Sequence, residues 1–417
     1  MTICLFEDQF SANLLPLVHC RPVYELKTGA FTLWERIINH YPKTKFSLHC
    51  RPQLTNVLKA KYGDLSINKL KQDDYLFING RVVADQKFAQ KVKIKGPDCC
   101  WRKGRQLIAA RVSREKAKKL DLKDNLAKQL SKLPCKKIAV ETVLNLWDLI
   151  RFQEKLLEKD IEKMIKGKRL ASHYREGVFA VNPKKIFIDR NCQIQPGAVL
   201  DASQGPIYIE EGVSIGANSV LTGPVYLGYE TIIQPLSRIN RHTYIGPVCK
   251  IGGEVSESII QSFSNKQHAG HLGHAYLGSW CNLGAGTDNS DLKNNYSSIK
   301  VWTNQKLVDS KIIFLGLFMG DHSKTGIGTK INTGTVIGFS ANVFGSSLSP
   351  KAIPSFAWAD LDGRSTEYDL AKAQKTAKKA MERRGEKLTA AWQKLFQQIY
   401  QDTKAERQLL IKKINEK

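Results

Sequence analysis

Residues 209–252 read IEEGVSIGANSVLTGPVYLGYETIIQPLSRINRHTYIGPVCKIG. Ile209, Ile215, Leu221, Leu227, Ile233, Ile239, Ile245 and Ile251 stand six apart without a miss. An amphipathic helix repeats at 3.6 residues and a half-buried strand at two, so neither accounts for the spacing. A period of six is the mark of a hexapeptide solenoid, a left-handed parallel β-helix with three short strands per coil. Each aliphatic residue then points inward and stacks on its equivalent one coil below. Gly216, Gly228, Gly246 and Gly252 follow inward positions, where a side chain would crowd the corner.

The rhythm continues on both sides. Upstream, Ile188, Ile194 and Leu200 keep the spacing; downstream, Leu277 and Leu283 do. Farther on, Ile313, Met319, Ile331, Ile337 and Val343 fall on a six-residue grid whose missing position is Thr325. The register slips at Ser256–His274 and at Asp288–Asp309. Slips are expected to be loops thrown out of the stack, and loops on a rigid scaffold carry binding and catalysis. The first slip holds three of the nine histidines.

The chain has 417 residues, enough for two or three domains. Lys plus Arg number 64 against 39 Asp plus Glu, a net charge of +25. Such a surface attracts anions. No zinc finger, helix-turn-helix or RNA-binding aromatic signature accompanies the charge, so phosphorylated small molecules are expected rather than nucleic acid. Nine scattered Cys with no Cys-x-x-Cys pair point to reduced thiols. No signal segment or membrane span is read, and a cytoplasmic location is expected.

Four regions are expected. Residues 1–103 alternate strand and helix: strand at Thr2–Phe6, helix at Phe31–Tyr41, strand at Phe46–His49, helix at Pro52–Tyr62, strand at Tyr75–Asn79. That order suggests an α/β domain with a parallel sheet. Residues 104–175 are dense in charge and read as a helical linker. Residues 176–352 carry the solenoid. Residues 353–417 form a helical tail with Leu388, Trp392, Leu395 and Ile399 on one face.

The first slip runs into the stretch NKQHAGHLGHAYLGSWCNLGAGT at 265–287. It resembles the acetyltransferase half of the bifunctional UDP-N-acetylglucosamine pyrophosphorylase / glucosamine-1-phosphate N-acetyltransferase family. That family has a Lys, a catalytic His, Leu-Gly, and then Asn-hydrophobic-Gly-Ala-Gly-Thr, with His and Asn fourteen apart; His268 and Asn282 match without a gap. The resemblance implies that His268 is the general base toward a sugar amine, a role an imidazole suits. It implies that Asn282 contacts the amino sugar or acetyl group. His271 stands where the family has Tyr, and Arg238, in Pro235-Leu236-Ser237-Arg238, matches the Arg that binds the substrate phosphate. Lys266 and Lys293 are placed with the acceptor. Ala285 and the polar segment His322-Ser323-Lys324 are placed with acetyl-CoA, the co-substrate. The family's substrate Lys after Gly252 and its Asn-Tyr-Asp-Gly after the Thr are missing, which leaves acceptor sugar and acyl group open.

Residues 16–23, PLVHCRPV, resemble the Pro-Leu-Thr-x-x-x-Pro-Lys stretch of sugar nucleotidyltransferases. The opening Phe6-Glu7-Asp8 and the triplet Asn79-Gly80-Arg81 bring the chain nearest to the short-form branch of that group. The resemblance implies an N-terminal nucleotidyltransferase-like domain. Asp8 would hold Mg²⁺, and Arg21, Lys27, Gly80 and Arg81 would lie along a nucleoside triphosphate. The Gly-rich phosphate loop is absent, so a domain that folds and binds without chemistry is the competing expectation.

Together these readings describe an enzyme of nucleotide-sugar synthesis. Its solenoid would transfer acetyl from acetyl-CoA to an amino-sugar phosphate, and its N-domain would make a UDP-N-acetylglucosamine-type product. A homotrimer with sites shared between subunits is expected. The alternatives are a non-catalytic nucleotide-sugar scaffold or sensor and, through His268, His271 and His274, a metal-dependent hydratase of the solenoid carbonic anhydrase type.

Overall fold

The computed structural model describes residues 1–168 and 176–416. The expected boundary at 175 lies outside the described residues. In the solenoid, Ile209 pairs in parallel with Leu227, and Leu227 with Ile245. One coil is therefore three hexapeptides. Three walls result. The first runs from Ile186–Ile188 through nine strands to Ala352–Ile353. The second runs from Gln193–Ile194 to Asn265–Lys266. The third runs from Phe179–Val181 to His271–Gly273. All eight aliphatic residues of the founding period are at most 1 % exposed and share one core. Removing such a side chain from water is worth roughly 1.5–3 kcal/mol, repeated at every step of the stack.

The slips have two different causes. At Ser256–His274 no loop leaves the stack. Ile251 pairs with Lys266 and Val255 with Leu272, so the coils are merely shorter. The second slip is a true excursion: Leu277 pairs next with Met319, and the chain between them makes a hairpin from Lys300–Thr303 and Lys306–Asp309. Thr325 keeps its inward place opposite Val343. Ile313 does not stack; it is 43 % exposed at the end of the excursion.

The N-domain has a seven-stranded sheet. Thr2–Phe6 lies between Lys45–His49 and Tyr75–Asn79, both parallel to it. The stretch after 103, read as linker, supplies Gln106–Val112, antiparallel to Tyr75–Asn79, and Cys135–Lys137 at the edge. Charge misled the reading: Arg111 is buried because its guanidinium donates to the Pro97, Lys93 and Lys95 carbonyls. One long helix closes the domain, α1 (Leu146–Ile165), started by an Asn145–Asp148 capping box. Its Gln153 and Asp160 accept from the Gly29 and Ala30 amides. Gly29 has φ +69°, and a Cβ there would fall 2.2 Å from the Asp160 carboxylate, so only glycine fits.

The domains form one body. Outward side chains of the first wall, Phe187, Tyr208, Tyr226 and Tyr244, stack at 4.7–5.4 Å and are buried in the core that includes α1. The Lys27 amide donates to the Tyr276 hydroxyl, and Arg21 pairs with Asp321. The solenoid runs past the expected boundary at 352, because Ala357–Asp360 pairs with Asn342–Phe344; after it the tail is three helices, α2 (Leu370–Glu382), α3 (Ala390–Asp402) and α4 (Lys404–Asn415). Phe396 of α3 packs among His322, Phe339 and Phe356, and α3 also touches the N-domain helix at Thr55–Lys61. Among the described residues no helix is long and apolar enough to cross a membrane.

Candidate active site

His268 sits on a bend, 267–270, where the chain turns from the second wall to the third, and its side chain is exposed. The bend is pinned from beneath. Lys266 occupies an inward slot, 2 % exposed, and its ammonium donates to the Gly252 and His268 carbonyls, both at 3.0 Å. Burial pushes its pKa down to about 8 although Asp288 and Glu254 oppose the shift. Lys266 thus holds the backbone of the bend and has no free path to a substrate. Asn282 lies one coil on, bridged to Asn265 and Lys324, and its side-chain Oδ1 accepts from the side-chain Nδ2 of Asn265 at 3.3 Å. The bend at 284–287 repeats that at 267–270, with the Gly286 amide donating to the Ala269 carbonyl. Ala285 therefore stands one coil beyond His268.

The remaining solenoid residues divide. Lys324 is half-buried beside Asn282, and its ammonium donates to the His322 carbonyl at 2.8 Å. His322 and Ser323 do not reach solvent. His322 is 2 % exposed beneath Phe396, and burial holds its pKa well below the ordinary range. The Ser323 hydroxyl donates to the Gly338 carbonyl inside the stack. Neither can touch acetyl-CoA in this arrangement. Lys293, in the excursion, donates to Ser297 and Ser298 and braces the loop.

The third wall carries a chain of alternating charges. Arg238, 64 % exposed, meets Glu254 at 3.3 Å, and Glu254 is 3.9 Å from His271. His271 lies 3.5 Å from Asp291. Asp291 also holds His274 at 2.8 Å, and Glu257 holds the other His274 nitrogen at 2.8 Å. Arg241 closes the row on Glu257. The hydrogen bond to Asp291 raises the His271 pKa against the effect of burial. For His274 burial opposes the charge, yet the bonds to Asp291 and Glu257 outweigh it and push the pKa up to about 9. A protonated imidazole is not a metal ligand. Among the described residues no group of three His, Cys, Asp or Glu within the one chain is disposed to hold a metal ion.

In the N-domain the expected nucleotide residues are spent internally. Arg81, fully buried, binds both Asp8 oxygens, through Nε at 2.9 Å and a terminal nitrogen at 2.6 Å. Asn79 and the Phe10 amide also donate to Asp8. A guanidinium thus stands where Mg²⁺ would approach this carboxylate, and the donor set does not fit the metal. Arg21 is held by Asp321, Ser279 and the Leu17 carbonyl. Lys27 is held by Glu35. At Gly80 a Cβ would lie 2.7 Å from the Tyr24 ring, so that glycine serves packing. An open cavity of about 740 Å³ does exist farther along the sheet, between α1 and 83–87, with Lys87, Lys103, Lys155, Lys159 and Lys163 on its walls. The convergence of the α1 lysines depends on where that helix docks.

Comparison with known proteins fits this two-part architecture. Residues 3–169 match the family model described as sugar nucleotidyl transferase, which makes the first part of the chain a domain of nucleotidyltransferase type. Among curated relatives, the bifunctional protein GlmU of Synechococcus sp. (strain CC9311) is 28% identical over 40% of this chain and 32% of its own. A bifunctional sugar-1-phosphate nucleotidylyltransferase/acetyltransferase of Sulfurisphaera tokodaii is 34% identical over 34% of this chain and 36% of its own. The chain therefore spans well under half the length of these relatives. A solved UDP-N-acetylglucosamine acyltransferase from Campylobacter jejuni aligns at 13% identity over 54% of this chain and 94% of its own, with a TM-score of 0.24.

Proposed function

We propose that the solenoid transfers an acyl group from an acyl-CoA, acetyl-CoA in the first instance, to the amine of a phosphorylated amino sugar. The observation that carries the reading is the stacking of two successive bends: His268 is exposed on one, Ala285 stands on the next, and Asn282 leads into it. In the reaction the amine attacks the thioester carbonyl, the His268 imidazole takes the amine proton, and coenzyme A leaves as the thiol. Arg238 lies on the wall beyond the same bend, with most of its guanidinium in solvent. The bifunctional relatives support nucleotide-sugar synthesis as the setting.

A second reading applies to the N-domain. The saturated Asp8–Arg81 pair favours a module that binds a nucleotide sugar or its precursor without transferring a nucleotidyl group. The oligomeric expectation also changes. A site shared between subunits needs bare walls, but the chain's own N-domain and tail cover the first wall and one edge of the second. A threefold assembly would have to use the third wall, where Phe179, Val181 and Val220 are exposed.

The test incubates the protein with acetyl-CoA and a panel of hexosamine phosphates, following free thiol, and separately with UTP, Mg²⁺ and N-acetylhexosamine-1-phosphates, following pyrophosphate. Thiol release without pyrophosphate is expected. Pyrophosphate release would overturn the reading of the N-domain, and no thiol release with any acceptor would overturn that of the solenoid.

A further inference from the structure

Two cysteines face each other at the free edge of the N-domain sheet. The strand Cys99–Lys103 carries the edge strand Cys135–Lys137 in parallel, with Cys100 opposite Cys135, Trp101 opposite Lys136 and Arg102 opposite Lys137. Residues directly opposite in neighbouring strands point to the same face, with strands roughly 4.7–4.9 Å apart. That falls inside the roughly 4.4–6.8 Å between Cα atoms that a disulfide spans. The Cys100 thiol is turned toward the edge, where it donates to the Leu133 carbonyl at 3.5 Å, just before Cys135. Burial pushes its pKa up to about 11, and the Cys135 thiol adds to the rise. Cys99, next in the chain, lies on the other face of the sheet and accepts from Arg111 at 3.4 Å. Of the nine cysteines, all among the described residues, Cys135 is exposed, Cys192 is half-buried and the other seven are buried. The pair thus joins a thiol that solvent reaches to one that it does not. The edge strand is short and paired on one side only, so it opens at lower cost than the strands inside the sheet. It runs directly into 139–141, which line the cavity of about 740 Å³ beside α1.

We propose that Cys100 and Cys135 are a reversible redox pair, closed to a disulfide by exchange with a small disulfide such as oxidised glutathione. The exposed Cys135 thiolate attacks one sulfur of the small disulfide and expels the other half. Cys100 then attacks the Cys135 sulfur and expels the second half. Two cysteine thiols are oxidised, one small disulfide is reduced to two thiols, and the two cysteine protons end on those thiols. The order follows from position. A buried thiol with a raised pKa is a poor first attacker, but beside the mixed disulfide its attack is intramolecular and proximity favours it. Lys136 and Lys137, both exposed, follow Cys135 and draw a carboxylate-bearing disulfide to it. Closure adds a covalent staple to an edge otherwise held by backbone hydrogen bonds such as that from the Cys100 amide to the Pro134 carbonyl at 2.8 Å. It therefore fixes the strand that leads into the cavity wall. The pair is independent of both activities proposed above.

Incubation of the full chain in glutathione buffers of graded oxidised-to-reduced ratio tests the pair, read by thiol counting, peptide mapping and hydrogen exchange. In the oxidised buffer the protein should lose the Cys100 and Cys135 thiols together. Peptide mapping should find the two linked within one chain, and dithiothreitol should restore both. Amide exchange across 135–141 should slow at least tenfold on closure. Cys100→Ala should stop at a mixed disulfide on Cys135, and Cys135→Ser should take up no glutathione at Cys100. Melting curves of the reduced variants check that they fold, and the map of the parent decides the matter whether or not they do. A parent that keeps both thiols in the oxidised buffer, that holds glutathione on Cys135 without passing it on, or that joins Cys135 of two chains instead would overturn the pair. Exchange across 135–141 that is the same in the linked and reduced protein would overturn the staple on the cavity wall.

Discussion

His274 should make the third wall weaken as pH rises. Its imidazole is 2.8 Å from Glu257 on the preceding coil and 2.8 Å from Asp291 at the start of the excursion, and Phe314 from the excursion's far end stacks on it at 5.3 Å. One cation thus ties both ends of the excursion to the solenoid. Its pKa rises from an ordinary 6.5 to about 9, and each unit is worth about 1.4 kcal/mol, so its protonated form contributes roughly 3 kcal/mol. Because the folded value is the higher one, that contribution is complete below about pH 6.5 and is lost as pH rises through about 9. The carboxyl partners carry the opposite sign. Glu257 and Asp291 are held below their ordinary values, so their contribution is present above about pH 4.5 and is lost in acid. Urea unfolding of the parent and of His274→Gln from pH 6 to pH 10 measures the effect. The two should differ by about 3 kcal/mol at pH 6 and converge by pH 10. A constant difference across the range, or an NMR titration of His274 with its midpoint near 6.5, would refute the clasp.

Three further outcomes follow from the same structure. His268→Ala should abolish acetyl transfer and leave the melting temperature within a degree of the parent, since the side chain lies outside the stack; a large loss of melting temperature would show a structural His. Asp8→Ala should destabilise the N-domain by about 3–5 kcal/mol in chemical denaturation, because it strands the buried Arg81 charge, whereas an Asp8 kept for metal alone would cost little. Ile233→Ala, which empties an inward slot, should cost about 2–5 kcal/mol, and a smaller cost would mean the stack collapses around the gap.

The solenoid was legible because its periodic signal is redundant: each coil repeats the same inward choice, and even the odd Thr325 kept its slot. A short coil and a thrown-out loop look alike in sequence, since both break the grid, and only the pairing of Ile251 with Lys266 tells them apart. The covered first wall left an unread signal. Tyr208, Tyr226, Tyr244 and Tyr276 each stand one residue before an inward aliphatic residue. Outward tyrosines at four coils ask for a partner surface. Placement was legible where the motif fixes local geometry, as at the exposed bend of His268 and the bridge at Asn282. It was not legible where a long-range partner decides it: Asp321 claims Arg21 from three hundred residues away, and Phe396 seals His322. Arg384, whose guanidinium donates to the Val248 carbonyl and the Asn265 side chain, had no signature at all, because only the docking of the tail brings it to the wall.

The docking of the N-domain against the solenoid has a consequence for synthesis. The surface of residues 1–165 that meets the tyrosine-bearing wall is not fully covered until residues as late as Val336 and Phe339 have emerged. At roughly 5–20 residues per second that interval is about 10–40 s. A domain that folds at once then waits with part of an apolar flank open to solvent or to a chaperone. Slower translation through 176–352 would lengthen the wait, and the yield of native protein should track that delay more closely than the stability of the finished molecule.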